Sequence, residues 1–265
     1  MHITGRVFVV TGGGNGIGRE VVRALLLRGA EVAVVDVSAD ALAETARIAG
    51  GGDRVSTHQV DLSQRDAVLA LPEAVLAAHG RIDGVLNVAG IIQRFAPVHQ
   101  LTHEEVRRVV DVNLWGVLHM VEAFLPVLLE RPAAALVNVS SMGSYVAVPG
   151  QTVYGATKAA VAQLTDGLWA ELRGTNVAVT TVYPGGVATD IAGNSGTAMP
   201  GMDATDVPMQ LTTPESAARQ IVEAMEAGRY RVMVGNDAKG LHWAVRLAPK
   251  RTTALVAKKL AVLVR

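Results

Sequence analysis

Thr11-Gly12-Gly13-Gly14-Asn15-Gly16-Ile17-Gly18 is the stretch of the sequence that decides the fold. It follows the apolar run 7–10 and leads into residues 16–28, whose apolar side chains recur at helical spacing. A glycine-rich turn between a strand and a helix suits a pyrophosphate, because its backbone amides are unobstructed and the helix dipole favours an anion there. The candidate contacts in this turn are Gly12, Asn15, Gly16, Ile17 and Gly18.

The strand–helix alternation that begins here continues along the chain. Further buried-strand runs lie at 32–35, 55–60, 85–88, 136–139 and 177–182, and a helix-length stretch precedes each of them. Strands that are apolar on both faces indicate a parallel sheet covered by helices on both sides. The pattern therefore predicts a single α/β domain of the Rossmann type, with a doubly wound parallel sheet.

Two regions depart from this alternation. Residues 188–213 are rich in glycine, proline and methionine, and we expect them to form a substrate-binding lid loop. Residues 240–265 are apolar and basic, so the main domain is expected over 1–239 and a helical extension over 240–265. Within 252–265, the apolar residues Val256, Leu260, Leu263 and Val264 recur at helical spacing. We expect this amphipathic helix to pack on its own subunit or on a neighbouring one; an anionic membrane and disorder are the alternatives.

The composition excludes several classes of protein. Half of the 265 residues are apolar, and 24 basic residues balance 24 acidic ones, so nucleic-acid binding is not expected. There are no cysteines, and the histidines lack the spacing of metal ligands, so no metal site is predicted. We find no secretory signal and no apolar run as long as a membrane span, and we expect a cytoplasmic enzyme.

The acidic residue at the end of the second strand bears on the choice of nucleotide. Asp36 lies 18 residues beyond Gly18, where a carboxylate can accept hydrogen bonds from the ribose hydroxyls of an adenosine. A 2′-phosphate about 4 Å away would be repelled by roughly 4 kcal/mol at an effective dielectric constant of about 20. No basic residue follows, since Val37 and Ser38 come next. This favours NAD over NADP, the alternative being a solvated carboxylate with no ligand.

Downstream motifs give the sequence a specific resemblance. Tyr154-Gly155-Ala156-Thr157-Lys158 carries tyrosine and lysine four residues apart, and Ser141 lies 13 residues before the tyrosine. Asn113 follows Asp111-Val112, and the run 87–90 reads Asn-Val-Ala-Gly. In this order, with the glycine-rich turn, the motifs resemble those of the classical short-chain dehydrogenase/reductase (SDR) family over roughly residues 5 to 235.

The resemblance implies an activity and a set of site residues. The implied catalytic residues are Asn113, Ser141, Tyr154 and Lys158. The implied cofactor contacts outside the glycine-rich turn are Asp36, Asp61, Leu62, Asn87, Ala89, Gly90, Tyr154, Lys158, Pro184, Gly185, Val187 and Thr189. The cofactor would be NAD, and the family also suggests a homotetramer or homodimer.

The chemistry of these residue types agrees with hydride transfer. Tyr154 and Lys158 share a helix face, so the ammonium, together with the cationic nicotinamide ring of the oxidised cofactor, is expected to lower the phenol pKa from about 10 towards neutrality. Tyr154 would then take the proton of an alcohol, while Ser141 donates a hydrogen bond to the substrate oxygen. We therefore expect reversible NAD-dependent oxidation of a secondary alcohol. The predicted walls of the substrate pocket (93–97, 142–148, 151 and 188–213) are mostly apolar, so the alcohol is expected to be hydrophobic. The alternatives are an NADPH-dependent ketoacyl or carbonyl reductase and a cofactor-sensing binding protein without turnover.

Overall fold

A single parallel sheet organises the part of the chain described by the computed structural model, residues 1–197 and 211–261. Within those residues it has seven strands: β1 (Val7–Thr11), β2 (Glu31–Asp36), β3 (Val55–Gln59), β4 (Gly84–Asn87), β5 (Ala134–Val139), β6 (Val177–Pro184) and β7 (Arg231–Val234). Their order across the sheet is β3-β2-β1-β4-β5-β6-β7, and every pairing is parallel. The order reverses between β1 and β4, which creates a crevice at the carboxyl ends of these strands.

Helices cover both faces of the sheet. They are α1 (Gly16–Leu27), α2 (Ala39–Ala49), α3 (Arg65–Leu69), α4 (Leu71–His79), α5 (His103–Val110), α6 (Gly116–Leu129), α7 (Thr152–Glu171), α8 (Ile191–Asn194), α9 (Pro214–Glu226), α10 (Asn236–Leu247) and α11 (Pro249–Lys259). One apolar core lies between the sheet and α1 and α9, and a second lies between the opposite face and α4, α6 and α7. The predicted doubly wound fold is therefore confirmed.

Strand β7 was not among the strands predicted from the sequence. It pairs with β6, with Tyr183 opposite Met233 and Pro184 opposite Val234. Its four residues alternate between buried and half-buried, because it is one of the two edge strands of the sheet. Its apolar run, Val232-Met233-Val234, has only three residues, which is too short to be assigned to a strand from periodicity alone.

The helix α5–α6 is longer and more apolar than the sequence analysis allowed. With the π-helical turn Asp111–Trp115 it runs from His103 to Leu129, and its length and composition would suit a membrane span. The expectation that no apolar stretch reaches this length is therefore wrong. Its side chains Met120, Phe124 and Leu128 are fully buried in the core on one face of the sheet.

The end of the chain forms two helices separated at Pro249. Helix α11 packs on α10 and buries Thr252 and Val256. The expected helix thus begins earlier than residue 252, because Pro249 occupies its first turn. Of the residues predicted to carry its apolar face, Leu263 and Val264 lie outside the described residues, as does Arg265.

Candidate active site

The glycine-rich turn brings backbone against backbone at the start of α1. A Cβ atom on Gly18 would lie 2.0 Å from the carbonyl oxygen of Gly12. Gly12 has a φ of +67°, and a Cβ there would lie 2.8 Å from the Cα of Ala89. Side chains at these two positions would disrupt the turn, so glycine leaves the surface bare where an anion can approach the helix N-terminus.

A cleft of about 740 Å³ opens beside this turn at the carboxyl ends of the strands. The end of β2 and the loops that follow β1, β2, β3 and β4 line it, together with residues of α1, α5 and α8. Eleven of the predicted cofactor contacts lie in its wall: Gly12, Asn15, Gly16, Ile17, Gly18, Asp36, Asp61, Leu62, Ala89, Gly90 and Thr189. A concave site of this volume and glycine content fits a dinucleotide.

Asp36 is held by the backbone at the edge of the cleft. Its Oδ2 accepts a hydrogen bond from the amide of Gly14 at 2.9 Å, and its Oδ1 accepts one from the amide of Ser38 at 3.1 Å. Each carboxylate oxygen keeps a lone pair for another donor. The side chain is half-buried, so it is oriented and still accessible.

Asn87 is one of the predicted contacts that do not line the cleft, and its side chain lies in the interior. Its Nδ2 donates to the Oδ1 of Asn138 at 2.8 Å, and the Nδ2 of Asn138 donates to Thr165 at 3.0 Å. The three side chains are buried and join β4, β5 and α7. The side chain of Asn87 thus connects β4 to β5 beneath the cleft by a hydrogen bond. Its role as a cofactor contact stays a prediction.

The stretch predicted to bind the nicotinamide carboxamide, residues 184–189, leaves the end of β6. The amide of Gly185 donates to the carbonyl of Val234 at 2.9 Å, and that of Gly186 donates to Oδ2 of Asp237 at 2.6 Å. Asp237 was missed by the sequence analysis. An acidic residue in the first turn of a helix is the signal that could have suggested it, but that helix follows the unrecognised strand β7.

The two ends of the predicted lid loop are joined by backbone pairing. Val187 pairs with Thr212 in an isolated parallel bridge, and the amide of Thr212 donates to the carbonyl of Gly186 at 2.8 Å. Residues 191–194 form the short helix α8. Residues 198–210 lie outside the described residues, so the lid itself stays a prediction.

Helix α7 carries the tyrosine and the lysine one turn apart, as their spacing predicts. Lys158 is 3% exposed, and its Nζ donates to the carbonyl oxygen of Val139 at 3.0 Å. The same Nζ lies 5.9 Å from the ring centroid of Tyr154. A Cβ on Gly90 would come within 2.8 Å of it, so glycine leaves room beside the ammonium.

Burial shifts both groups away from their charged forms. It lowers the pKa of Lys158 to about 8. It also raises the pKa of Tyr154, and a hydrogen bond with Ser141 only partly opposes this rise. The Nζ of Lys158 is directed to Val139, and burial outweighs the hydrogen bond with Ser141, so the lowering of the phenol pKa by the ammonium and the oxidised nicotinamide together stays a prediction.

The two adjacent serines have separate roles. Ser140 is buried, and its hydroxyl donates to the carbonyl oxygen of Lys158 at 2.7 Å. The Oγ of Ser141 accepts from the amide of Gly143 at 3.0 Å and lies within hydrogen-bonding reach of Tyr154. Ser141, which the spacing singled out, is thus the serine beside the tyrosine.

Asn113 lies in the π-helical turn between α5 and α6 and is fully buried. Its Oδ1 accepts from the amide of Ile91 at 2.8 Å, while its Nδ2 donates to the carbonyl of Ile91 at 2.9 Å and to Thr157 at 3.1 Å. A π-helical turn displaces the helix backbone locally and is frequent at functional sites. Asn113 thereby ties the loop after β4 to the helix that bears Tyr154.

A buried glutamine beside the tyrosine has a role that the sequence did not reveal. The Oε1 of Gln93 accepts from the amide of Tyr154 at 3.0 Å, and its Nε2 donates to the carbonyl of Gly150 at 3.0 Å. Gln151 returns a hydrogen bond to the carbonyl of Gln93 at 2.9 Å. Gln93 was expected only as a pocket wall, since no local pattern shows that a residue some 60 positions away caps α7.

Comparison with known proteins agrees with this arrangement. A family model described as short chain dehydrogenase matches residues 6–200. A protein of Mycobacterium tuberculosis named SadH is 37% identical, over 97% of this chain and 96% of its own length. The chain belongs to the short-chain dehydrogenase family, and it is an oxidoreductase of that family.

Two solved structures of the family have the same fold and different cofactors. A short-chain dehydrogenase/reductase from Burkholderia phymatum in complex with NAD is 26% identical, with a TM-score of 0.83 over 93% of this chain and 96% of its own. A short-chain dehydrogenase from Burkholderia cenocepacia in complex with NADP is 28% identical, with a TM-score of 0.81 over 97% and 99%. A nicotinamide cofactor is thus common to the family, and the fold alone does not choose between its two forms.

Proposed function

We propose that this protein is an NAD-dependent oxidoreductase that interconverts a hydrophobic secondary alcohol and its ketone. The observation that carries the proposal is a cleft of dinucleotide size that adjoins the group formed by Ser141, Tyr154 and Lys158. Asp36 lines the nucleotide end of the cleft, and Gly90 in its wall lies beside the Nζ of Lys158. Tyr154 and Ser141 lie next to Lys158, behind the residues that line the cleft. When bound, NAD supplies the nicotinamide carbon that accepts or returns the hydride.

Tyr154 is the group that moves the proton. In alcohol oxidation its oxygen takes the hydroxyl proton of the substrate, and in ketone reduction it returns that proton. Ser141 donates a hydrogen bond to the substrate oxygen, where negative charge develops. Because burial raises the pKa of Tyr154, the positive charge of Lys158 and of the oxidised cofactor is needed to favour the phenolate.

The charges around the cleft support NAD rather than NADP. The carboxylate of Asp36 would repel a 2′-phosphate, and the loop that follows it supplies only Val37 and Ser38 to the wall. The basic residues that line the cleft in the described part of the chain are Arg107 and Arg108, both on α5 rather than beside β2. An NADPH-dependent ketoacyl or carbonyl reductase remains the second candidate, because a relative of known structure binds NADP.

The other properties proposed here rest on the sequence and on exposed side chains. A hydrophobic substrate suits the mostly apolar stretches 93–97 and 142–148. A cytoplasmic homotetramer, or a homodimer, that pairs the helices over 102–130 and 152–173 would cover Trp115 and Leu129, which are 51% and 41% exposed in one subunit. The observations favour turnover over cofactor sensing, since Tyr154, Lys158 and Ser141 are all in place.

The test is a comparison of initial rates with NAD and with NADP across a panel of secondary alcohols. We expect turnover with NAD and a lower kcat/KM with NADP. Asp36→Ala should narrow that preference by at least about tenfold, because it removes both the ribose acceptor and the repulsion. Asp40→Ala is the matched control, since Asp40 is exposed on α2 and does not line the cleft. A wild-type protein that uses NADP as well as NAD would contradict the cofactor assignment.

A further inference from the structure

The lysines of this chain are concentrated at one end. The sequence has five, and apart from the buried Lys158 all of them lie between 239 and 259. Residues 238–265 contain seven basic side chains and no acidic one, although the formal net charge of the whole chain is zero. The side chains of these residues, which are the predicted extension 240–265 with Ala238 and Lys239, therefore carry a formal charge of +7, and the rest of the chain balances it.

Helix α10 presents apolar and basic side chains together on its outer face. Lys239, Trp243, Arg246 and Leu247 are all exposed, and their spacing places them on one stripe of the helix. Trp243 is 62% and Leu247 is 84% exposed, and because they lie one turn apart they form an apolar patch at the surface of the helix. The guanidinium of Arg246 lies 5.9 Å from the Trp243 ring centroid. We call these four residues the α10 stripe.

Helix α11 extends the same character. It packs on α10 through Thr252 and Val256, yet Leu255 stays 54% exposed. Lys250, at its start, and Lys258, near its end, are exposed as well. Packing on its own subunit, the interpretation favoured from the sequence, therefore accounts for only one side of the extension.

We propose that the α10 stripe and the exposed side of α11 bind the surface of an anionic lipid membrane. Tryptophan and leucine beside lysine and arginine are the composition of helices that lie in the headgroup region. A second copy of the chain on this surface would bring Lys239 and Arg246 against like charges, since the extension has no carboxylate to pair with them. Anionic lipids complement the charge and also accept the apolar side chains.

The position of α10 links this surface to the active site. At its start, Asp237 accepts the hydrogen bond from Gly186 in the nicotinamide-binding stretch. The hydroxyl of Tyr145, four residues after Ser141, donates to the carbonyl oxygen of Ala238 at 2.9 Å. Docking through α10 would thus hold the catalytic end of the cleft near the lipid, where a hydrophobic alcohol is concentrated. This consequence depends on the proposed function, whereas lipid binding does not.

The experiment is co-sedimentation of the full chain with vesicles of phosphatidylcholine alone and of phosphatidylcholine mixed with phosphatidylglycerol. We expect binding to the mixed vesicles only, weakened by salt. Lys250→Gln should lower the vesicle affinity about fivefold, the effect of one basic residue near an anionic surface. Trp243→Ser combined with Leu247→Ser should lower it by more than about tenfold. Leu27→Ser is the control, because Leu27 is 86% exposed at the end of α1, outside the extension. This substitution should leave the vesicle affinity unchanged.

Several results would overturn the proposal. Absence of wild-type binding to the mixed vesicles would do so, as would binding that survives the Trp243 and Leu247 substitutions. If those substitutions instead reduce the oligomer mass measured by light scattering while no vesicles are bound, the stripe contacts a second copy of the chain. The Lys250 variant and the Trp243 and Leu247 double variant should bind NAD with wild-type affinity in a titration, whichever alcohol is the substrate. The NAD titration reports on the proposed function and the vesicle assay reports on docking, so the failure of one proposal can be told from the failure of the other.

Discussion

Replacement of Lys158 by methionine should make the protein more stable while it abolishes turnover. The lysine is buried, and its ammonium has a hydrogen bond to the carbonyl of Val139. Within the described residues no carboxylate forms an ion pair with it. Methionine is similarly long and unbranched and carries no charge, so it can occupy the same space without desolvating an ion.

The magnitude follows from the pKa. Burial lowers the pKa of Lys158 from 10.5 to about 8. Each unit corresponds to about 1.4 kcal/mol, so the buried ammonium costs on the order of 3 kcal/mol at pH 7. Loss of the hydrogen bond to Val139 offsets about 1 kcal/mol of the gain. Lys158→Met should therefore raise the free energy of unfolding by roughly 2 kcal/mol.

The pH dependence gives the sign of the effect. The unfolded lysine keeps its proton to higher pH than the folded one, so the penalty is complete below about pH 8 and fades as the pH rises towards 10.5. Urea denaturation of both proteins, at equal concentration and at several pH values, should show the advantage of Lys158→Met shrinking above pH 8. Lys239→Met, at an exposed lysine, should show no such trend. A variant less stable than wild type at pH 7, with a parallel pH profile, would refute the reasoning.

Three further changes test other parts of the account. Asp83→Asn should lower the free energy of unfolding by roughly 3 kcal/mol, because the carboxylate is buried and bound by three arginines. Burial raises the pKa of Asp83, but the hydrogen bond from Arg81 and other contacts outweigh burial, so the pKa is lowered overall. The loss of stability, measured by urea denaturation, should therefore become smaller below about pH 4, where the wild-type carboxylate begins to take up a proton. An unchanged urea midpoint at pH 7 would contradict a stabilising role for Asp83. Gly18→Ala should weaken NAD binding at least about tenfold in a fluorescence titration, since its Cβ would collide with a carbonyl oxygen; wild-type affinity would count against the turn as the phosphate site. Gln93→Met should lower kcat about tenfold and leave the KM for NAD unchanged. Gln93→Glu keeps an acceptor for the amide of Tyr154, so it should recover part of the lost kcat. Equal rates in the wild type and both variants would exclude a role of Gln93 in positioning Tyr154.

Much of the fold was predictable because it rests on local patterns. The apolar runs of the interior strands and the glycine-rich turn after β1 each need only a few consecutive residues to be recognised. Ser141 and Ser140 could be told apart from spacing, since only one of them faces the tyrosine. Asp36 lies at the mouth of the cleft, as expected of the residue that ends β2.

The rest depends on contacts between distant parts of the chain. Strand β7 was not recognised because its apolar run is only three residues long, and Asp237 was therefore not recognised as the acceptor for Gly186. The sequence does not show whether the side chain of Asn87 faces the cleft or the interior. In the structure it faces the interior, where it donates a hydrogen bond to Asn138. The direction of the pKa shift of Tyr154 depends on how deeply the site is buried, which the Tyr154–Lys158 spacing does not reveal.

The central claim is that Tyr154 transfers the proton in an NAD-linked oxidation. The most direct measurement is the initial rate of NAD reduction by Tyr154→Phe with an alcohol that the wild-type protein accepts, together with an NAD titration of the variant. Phenylalanine keeps the ring and removes the hydroxyl, so the rate should fall by about 10³-fold while NAD binding stays within about twofold of wild type. A variant that binds NAD normally and reduces it at a rate near that of the wild type would contradict the claim.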